Sequence, residues 1–275
     1  MTRVVFQGEP GAYSHLACQH LYPNDEIVAC STFVEALQKV EAGDAEVAVI
    51  PLENSTAGRV EEIYRQVPKT HLHIISEHFQ PVNHCLMALK GATPEYVISH
   101  PQALAQCHDH IVKRNLEPRA EFDTAGAAQL LAQTGDLTGA AIASELAADL
   151  YDLEIIQPHF EDVAGNTTRF LIFAREAKPP VYEKSKEFIT SLLFDVRNIP
   201  AALYKALGGF ATNGLNLIKI ESYMDGKTLN SSRFHIDVAC HIDDPAMKRA
   251  MEELAYFSNS VRWLGTYPAH PFRRQ

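Results

Sequence analysis

The chain has 275 residues, 46% of them apolar and 21% charged, a composition that supports a sizeable globular core and is long enough for two domains. Its 34 acidic and 24 basic side chains leave a formal net charge of −10 at pH 7. That balance argues against a nucleic-acid or anionic-membrane surface, because both demand basic patches, and an acidic ligand would need local positive groups.

Val4-Val5-Phe6 reads as a short buried strand, followed by the turn Gln7-Gly8-Glu9-Pro10-Gly11 and a helix from about Ala12. Phe33, Ala36, Leu37 and Val40 recur at i, i+3, i+4 and i+7, one apolar helix face. Glu46-Val47-Ala48-Val49-Ile50 is a strand that Pro51 is expected to end, and the turn from Leu52 to Gly58 leads into a helix over 60–67. Cys85-Leu86-Met87-Ala88-Leu89 and Tyr96-Val97-Ile98-Ser99 are strands. Pro101 opens a helix whose buried face is Leu104, Cys107 and Ile111. This alternation continues to about residue 155 and predicts a parallel α/β sheet; its two groups of strands predict two α/β lobes, crossed near 76–82 and 161–166. At the return crossing, Gly165-Asn166-Thr167-Thr168-Arg169-Phe170 stands just ahead of the strand-like run Leu171-Ile172-Phe173-Ala174. Two hydroxyls, a fixed cation and a ring are thereby set where a cleft between lobes would lie.

Lys178-Pro179-Pro180 and the charged run Glu183-Lys184-Ser185-Lys186-Glu187 read as a linker. Beyond it comes a strand over Phe188–Val196, a helix face of Leu203, Ala206, Leu207 and Phe210, and a strand over 217–223. Phe234, Ile236, Val238 and Cys240 alternate with His235, Asp237 and Ala239 as in a half-buried strand. Met247, Ala250, Met251 and Leu254 mark a second helix, and 261–267 a last strand. The order β-α-β-β-α-β is ferredoxin-like. The expected division is 1–178 and 186–270.

Five scattered cysteines, never spaced Cys-x-x-Cys, suit reduced core residues of a cytoplasmic protein. The N-terminus lacks a signal peptide's apolar stretch, and no window reaches the roughly 20 apolar residues of a spanning helix. His71-x-His73 and His108-x-His110 have no carboxylate or cysteine at ligand spacing, so no metal site is expected. Three turns join a strand to a helix and carry small polar residues: Glu9-Pro10-Gly11-Ala12-Tyr13-Ser14, Glu53-Asn54-Ser55-Thr56-Ala57-Gly58 and Ser99-His100-Pro101-Gln102. Backbone N–H groups at such turns bind anions without net charge, though Ser55, Thr56 and Ser99 could equally serve as helix caps. Arg169 could likewise pair with a surface acid.

These three turns, the second with its preceding Pro51-Leu52, and Thr168-Arg169-Phe170 resemble the signature segments of the prephenate dehydratase family. The C-terminal unit resembles the ACT regulatory domain that follows the catalytic region there. The likeness covers essentially the whole chain in order, and with no helical chorismate mutase segment ahead of Val4 it implies the monofunctional form. It implies a two-lobed catalytic region like that of periplasmic binding proteins, with no cofactor. The implied reaction is loss of water and carbon dioxide from prephenate to give phenylpyruvate, in phenylalanine biosynthesis. Thr168 would then donate a proton or hydrogen bond to the departing hydroxyl, and Phe170 would pack on the ring or shape the pocket. Arg169 would either bind a carboxylate or hold the motif in place. Ser14, Asn54, Ser55 and Thr56, with Ser99 and Gln106 from the second lobe, would bind substrate.

The resemblance also implies an effector site for phenylalanine at Ala201, Ala202 and Leu203 and at Leu215, Asn216, Leu217, Glu221 and Ser222, and a homodimer or homotetramer. Two departures stand out: Ala201-Ala202-Leu203-Tyr204 replaces a Gly-Ala-Leu-Val-type segment, and Glu221-Ser222-Tyr223-Met224 replaces Glu-Ser-Arg-Pro. The motifs do not separate prephenate from its amino analogue arogenate, and two lobes around an anion cleft also describe non-catalytic binding proteins.

Overall fold

A computed structural model describes residues 2–224 and 231–274. By internal contacts the chain forms two units, Met1–Val67 with His78–Phe170, and Pro68–Glu77 with Leu171–Gln275. The first lobe of the first unit contains β1 (Arg3–Gln7), α1 (Tyr13–Leu21), β2 (Glu26–Cys30), α2 (Phe33–Ala42), β3 (Val47–Asn54), β4 (Gly58–Arg59) and α3 (Glu61–Gln66). β5 (His73–Pro81) follows and runs from the second unit into the first. The second lobe contains β6 (Cys85–Ala88), β7 (Tyr96–Ser99), α4 (Pro101–Gln106), α5 (His108–Lys113), β8 (Glu117–Ala120), α6 (Thr124–Thr134), β9 (Gly139–Ala143), α7 (Glu145–Tyr151) and β10 (Glu154–Gln157). β11 (Thr167–Ala174) returns to the first sheet.

That sheet has the order β2-β1-β3-β11-β5, with β4 paired to β3, and β1 is parallel to both β2 and β3. The second has the order β10-β6-β9-β7-β8. An all-parallel sheet does not form, because β6 runs antiparallel to β9 and β10. The βα connections keep β7, β8 and β9 parallel, whereas β6 is fed directly from the crossing strand and has no helix to reverse it. Nor does Pro51 end its strand. The ladder from β3 to β1 stops at Val49, so the missing Pro51 N–H is not needed there and β3 continues to Asn54. The helix opened by Pro101 is in fact two, broken at Cys107 (φ −115°, ψ 15°), with Cys107 and Ile111 buried and Leu104 partly so. Thr168, Arg169 and Phe170 lie inside β11 rather than in a turn ahead of it.

The second unit carries β12 (Phe188–Val196), α8 (Ala202–Thr212), β13 (Leu217–Met224), β14 (Ser231–Val238), α9 (Pro245–Phe257) and β15 (Ser258–Pro268). The antiparallel order β13-β14-β12-β15 is the ferredoxin-like arrangement, so the fold is α/β: two lobes of the periplasmic-binding-protein type followed by a βαββαβ unit. Leu192, Phe194, Ile236 and Val238 from the sheet pack on Ala206, Phe210, Met247, Ala250 and Leu254 from the two helices. Glu77, from the crossing segment, is fully buried, and Arg273 grips its two carboxylate oxygens at 2.7 Å each. Ala201, just ahead of α8, sits at φ +56°, where the resembled family has glycine; a side chain there is strained by about 1 kcal/mol. Among the described residues no helix is long and apolar enough to cross a membrane.

The paired glycines of α8 have different reasons. A Cβ on Gly209 would stand 2.8 Å from Glu253 Cβ and 3.2 Å from Ala250 Cα, so α8 approaches α9 only because nothing projects there. A Cβ on Gly208 meets nothing within 4 Å. Gly208→Ala is therefore expected to raise unfolding free energy by up to about 1 kcal/mol in urea denaturation, through helix propensity, while Gly209→Ala lowers it. The same sign for both would contradict this packing.

Candidate active site

A cleft of about 680 Å³ opens within the first unit. One wall is the turn Gly8-Glu9 and the start of α1; the other carries His84, Gln102 and Gln106 from the second lobe, with Asn54, Asn166, Thr168 and Phe170 between them. The two lobes are tied at the turn. Ser144 Oγ donates to the Gly11 carbonyl at 2.5 Å and Tyr151 O–H to the Pro10 carbonyl at 2.7 Å. Gly11 is at φ +92°, and a Cβ there would lie 3.0 Å from both Cα and Cβ of Ala147, so only glycine lets this turn sit against α7.

Strand alternation sorts the functional side chains onto two faces. On β11, Thr168 and Phe170 line the cleft and Arg169 lies on the opposite side; on β3, Asn54 lines the cleft and Glu53 does not. Asn54 Oδ1 accepts the backbone N–H groups of Thr56 (3.0 Å) and Ala57 (2.8 Å), an Asx turn that fixes which end of the amide is oxygen. Its Nδ2 therefore faces β11 and donates to Thr168 Oγ1 at 2.9 Å. Asn54 thereby takes one of the two Thr168 lone pairs, and the hydroxyl proton stays free of that contact. Behind the cleft, Arg169 donates to Glu53 Oε1 at 3.0 Å; its side chain is 3% exposed. Phe170 is buried and contributes ring surface to the cleft wall.

Of the substrate-binding candidates, Ser14, Asn54 and Gln106 line the cleft. Ser55, Thr56 and Ser99 do not. Ser55 is a clamp on β11: its N–H donates to the Thr167 carbonyl and its Oγ accepts the Thr167 N–H, both at 2.9 Å. Thr56 contributes its backbone N–H to the Asn54 turn. Ser99 is fully buried in β7, away from the cleft lining, and its hydroxyl donates to the Ile142 carbonyl at 2.6 Å. The cap of α4 is instead His100, whose Nδ1 accepts the Gln102 N–H. In the second unit Ala201, Ala202 and Leu203 sit at the start of α8, and Leu215, Asn216 and Leu217 follow its far end. Glu221 and Ser222 lie on β13.

Four further cleft residues were not assigned a role from sequence: Arg59 and His84, which stood in no role-bearing motif, and Tyr13 and Asn166, which lay inside quoted segments. Arg59 is the only arginine or lysine among the described lining residues, and it pairs with Glu61 at 2.5 Å. His84 lies just ahead of β6 with both ring nitrogens engaged, Nδ1 at 2.9 Å from Tyr13 Oη and Nε2 at 2.9 Å from Gln106 Oε1. Burial holds its pKa below the ordinary histidine value and pushes the Tyr13 phenol well above its own. The Cys30 thiol at the cleft edge is pushed up to about 11 by burial, which leaves it protonated and unreactive at neutral pH. Ala12 provides no side-chain cap for α1, so the opening N–H groups of that helix are available to a ligand anion.

Comparison with known proteins shows the family. A model of the family "Prephenate dehydratase" matches residues 4–178. A bifunctional N-acyl-homoserine lactone acylase/prephenate dehydratase from Komagataeibacter europaeus is 44% identical over 277 residues, covering 99% of this chain and 98% of that protein. The chloroplastic arogenate dehydratase/prephenate dehydratase 1 of Arabidopsis thaliana is 38% identical, covering 97% and 72%. The prephenate dehydratase of Arthrobacter aurescens, solved in complex with L-Phe, superposes with a TM-score of 0.89 at 27% identity, covering 97% of this chain and 90% of that one. On sequence and fold together, this chain is a member of the prephenate dehydratase family.

Proposed function

We propose that the chain converts prephenate to phenylpyruvate, with the Thr168 hydroxyl as donor to the leaving group. The ring C–O bond breaks and the departing hydroxide takes the Thr168 proton, leaving as water; the threonine regains a proton from solvent after the reaction. The bond from the ring to its carboxylate breaks in the same aromatisation, its electron pair enters the ring, and carbon dioxide departs. The observation that carries this reading is the orientation of Asn54: its fixed Nδ2 donates to Thr168 Oγ1 on the cleft floor, which suits that hydroxyl to donate its own proton to a ligand. The same N–H stabilises negative charge that develops on Oγ1 as the proton moves. Threonine is a weak acid, and aromatisation supplies the driving force that makes it sufficient.

In this reading Ser14, Gln106, Arg59 and the open start of α1, which line the cleft, hold the substrate carboxylates, and Phe170 flanks the ring. Arg169 acts through structure, since its buried guanidinium joins β11 to β3 through Glu53. Thr168→Val is expected to lower kcat by about 10²–10⁴-fold in a phenylpyruvate absorbance assay, and Thr168→Ser to restore much of it. Near-normal turnover by the valine variant overturns the assignment, and prephenate binding without turnover by the wild type makes the protein a receptor instead.

Glu9 on the cleft wall favours a second reading, because a carboxylate there would attract the ammonium of arogenate. The ratio of kcat/KM for the two substrates decides between them. The Komagataeibacter relative is named for a lactone acylase as well; release of fatty acid from an N-acyl-homoserine lactone, measured on the same preparation, decides whether that activity extends to this chain.

The C-terminal unit, read as an ACT domain, is proposed to bind phenylalanine between two copies of the chain. α8 has eleven residues, so at about 1.5 Å per residue roughly 16 Å separates Ala201 from the loop that carries Leu215 and Asn216. A single amino acid could touch both segments only if a second copy supplied one of them. β13, which bears Glu221 and Ser222, is an edge strand, and the nearby Tyr204 (81%) and Ile220 (47%) are exposed, as a homodimer or homotetramer would use them. Millimolar phenylalanine is expected to reduce turnover and increase the assembly's mass in light scattering; indifference of both measurements removes the proposal.

A further inference from the structure

We infer that His84 is a positioning residue that holds the Gln106 amide with its NH2 group turned to the substrate. The inference rests on the reading of the cleft as the dehydration site. His84 is 3% exposed, and its backbone N–H is anchored on Glu161 Oε2 at 2.7 Å. Its ring Nε2 lies 2.9 Å from Gln106 Oε1, and Asn166 Nδ2 donates to that same oxygen at 3.1 Å. A carbonyl oxygen has two lone pairs, and both are directed at these two neighbours. On the other side of the ring, Nδ1 lies 2.9 Å from Tyr13 Oη; with the ring N–H at Nε2, Nδ1 is the acceptor, and it shares the single Tyr13 proton with the Asn83 carbonyl at 2.8 Å. The imidazole is thus fixed at both nitrogens and cannot swing away from Gln106.

The consequence falls on Gln106, which is only partly buried and reaches the cleft from the end of α4. With its oxygen held by two donors, its nitrogen is the end that remains for a ligand, and an amide nitrogen can only donate. A doubly anionic substrate offers acceptors, so this orientation matches it and the reversed one would oppose lone pair to lone pair. His84 therefore acts through Gln106 and Asn166, with no need to touch the reacting atoms. Burial keeps the imidazole neutral, which suits a group that orients an amide and carries no charge of its own.

A hydrogen bond to a charged group is worth about 1.5–3 kcal/mol, so loss of the Gln106 donor corresponds to a ten- to hundred-fold change in affinity. Gln106→Ala and His84→Leu are each expected to raise KM for prephenate by that factor with kcat changed no more than a few-fold, because the contact exists in ground and transition states alike. His84→Gln carries an N–H at the position of Nε2 and is expected to restore KM to within a few-fold of wild type. His84→Asn keeps a polar group on the Tyr13 side but falls short of Gln106, and it takes the place of the leucine variant if that one unfolds. The double variant His84→Leu/Gln106→Ala should have a KM no higher than Gln106→Ala alone. Multiplying effects in the double variant, or failure of His84→Gln to rescue, overturns the inference. Absence of wild-type turnover would sink the functional reading instead, and calorimetric prephenate affinities of the same variants would then decide the role of His84.

Discussion

Two backbone N–H groups, those of Thr56 and Ala57, take the carbonyl end of the Asn54 amide, and everything at the floor of the cleft follows from that choice. The nitrogen end has one direction left, toward β11, where it meets the Thr168 hydroxyl. One residue earlier on β3 and one later on β11, Glu53 and Arg169 repeat the cross-strand pairing on the opposite face. Neighbouring strands are thus joined twice, by a neutral hydrogen bond on the cleft side and an ion pair behind it. The separation by face matters chemically. The guanidinium lies behind the strand, where it ties β11 to β3 and leaves the cleft face to the hydroxyl.

With a net charge of −10, a chain that is to bind an anion, as proposed, needs local donors to offset the overall field. The cleft lining has Glu9 and Asp123 beside its single described arginine, so the donors it offers are mainly neutral: the uncapped start of α1 and amide N–H groups oriented by their other partners. Such donors need little reorganisation when charge moves in the reaction, which is the property that makes a preorganised site effective. Asn54, Gln106 and Asn166 are alike in this respect. Each is an amide with its oxygen engaged inside the protein, although the neighbour that holds it differs.

The order of strands and helices was legible because apolar periodicity is a local property, and the βαββαβ unit could be read from spacing alone. Strand direction was not, since β6 differs from a parallel strand only in how the chain arrives at it. Pro51 misled because its effect depends on whether a neighbour needs its N–H, a fact about pairing and not about proline. Small polar residues were the hardest to sort. Asn54, Ser55 and Thr56 are adjacent and chemically similar, yet one lines the cleft, one pairs with the backbone of β11 and one lends only its N–H. Ser99 and Gln106 look equally suitable, but burial in β7 consumes the hydroxyl of the first. His84 could not be found from sequence because its significance lies wholly in Tyr13, Gln106 and Asn166, three residues brought to it by different elements.

The contact beneath the turn at Gly11 constrains a second position as firmly as the first. Ala147 presents both its Cα and its Cβ at 3.0 Å from where a Gly11 side chain would begin, so the gap is shared property of two distant places in the chain. Enlarging residue 147 would press on the glycine from the helix side just as enlarging residue 11 would from the turn side. Because the Ala147 Cα itself stands at that distance, even glycine at 147 would leave no room for a side chain at 11.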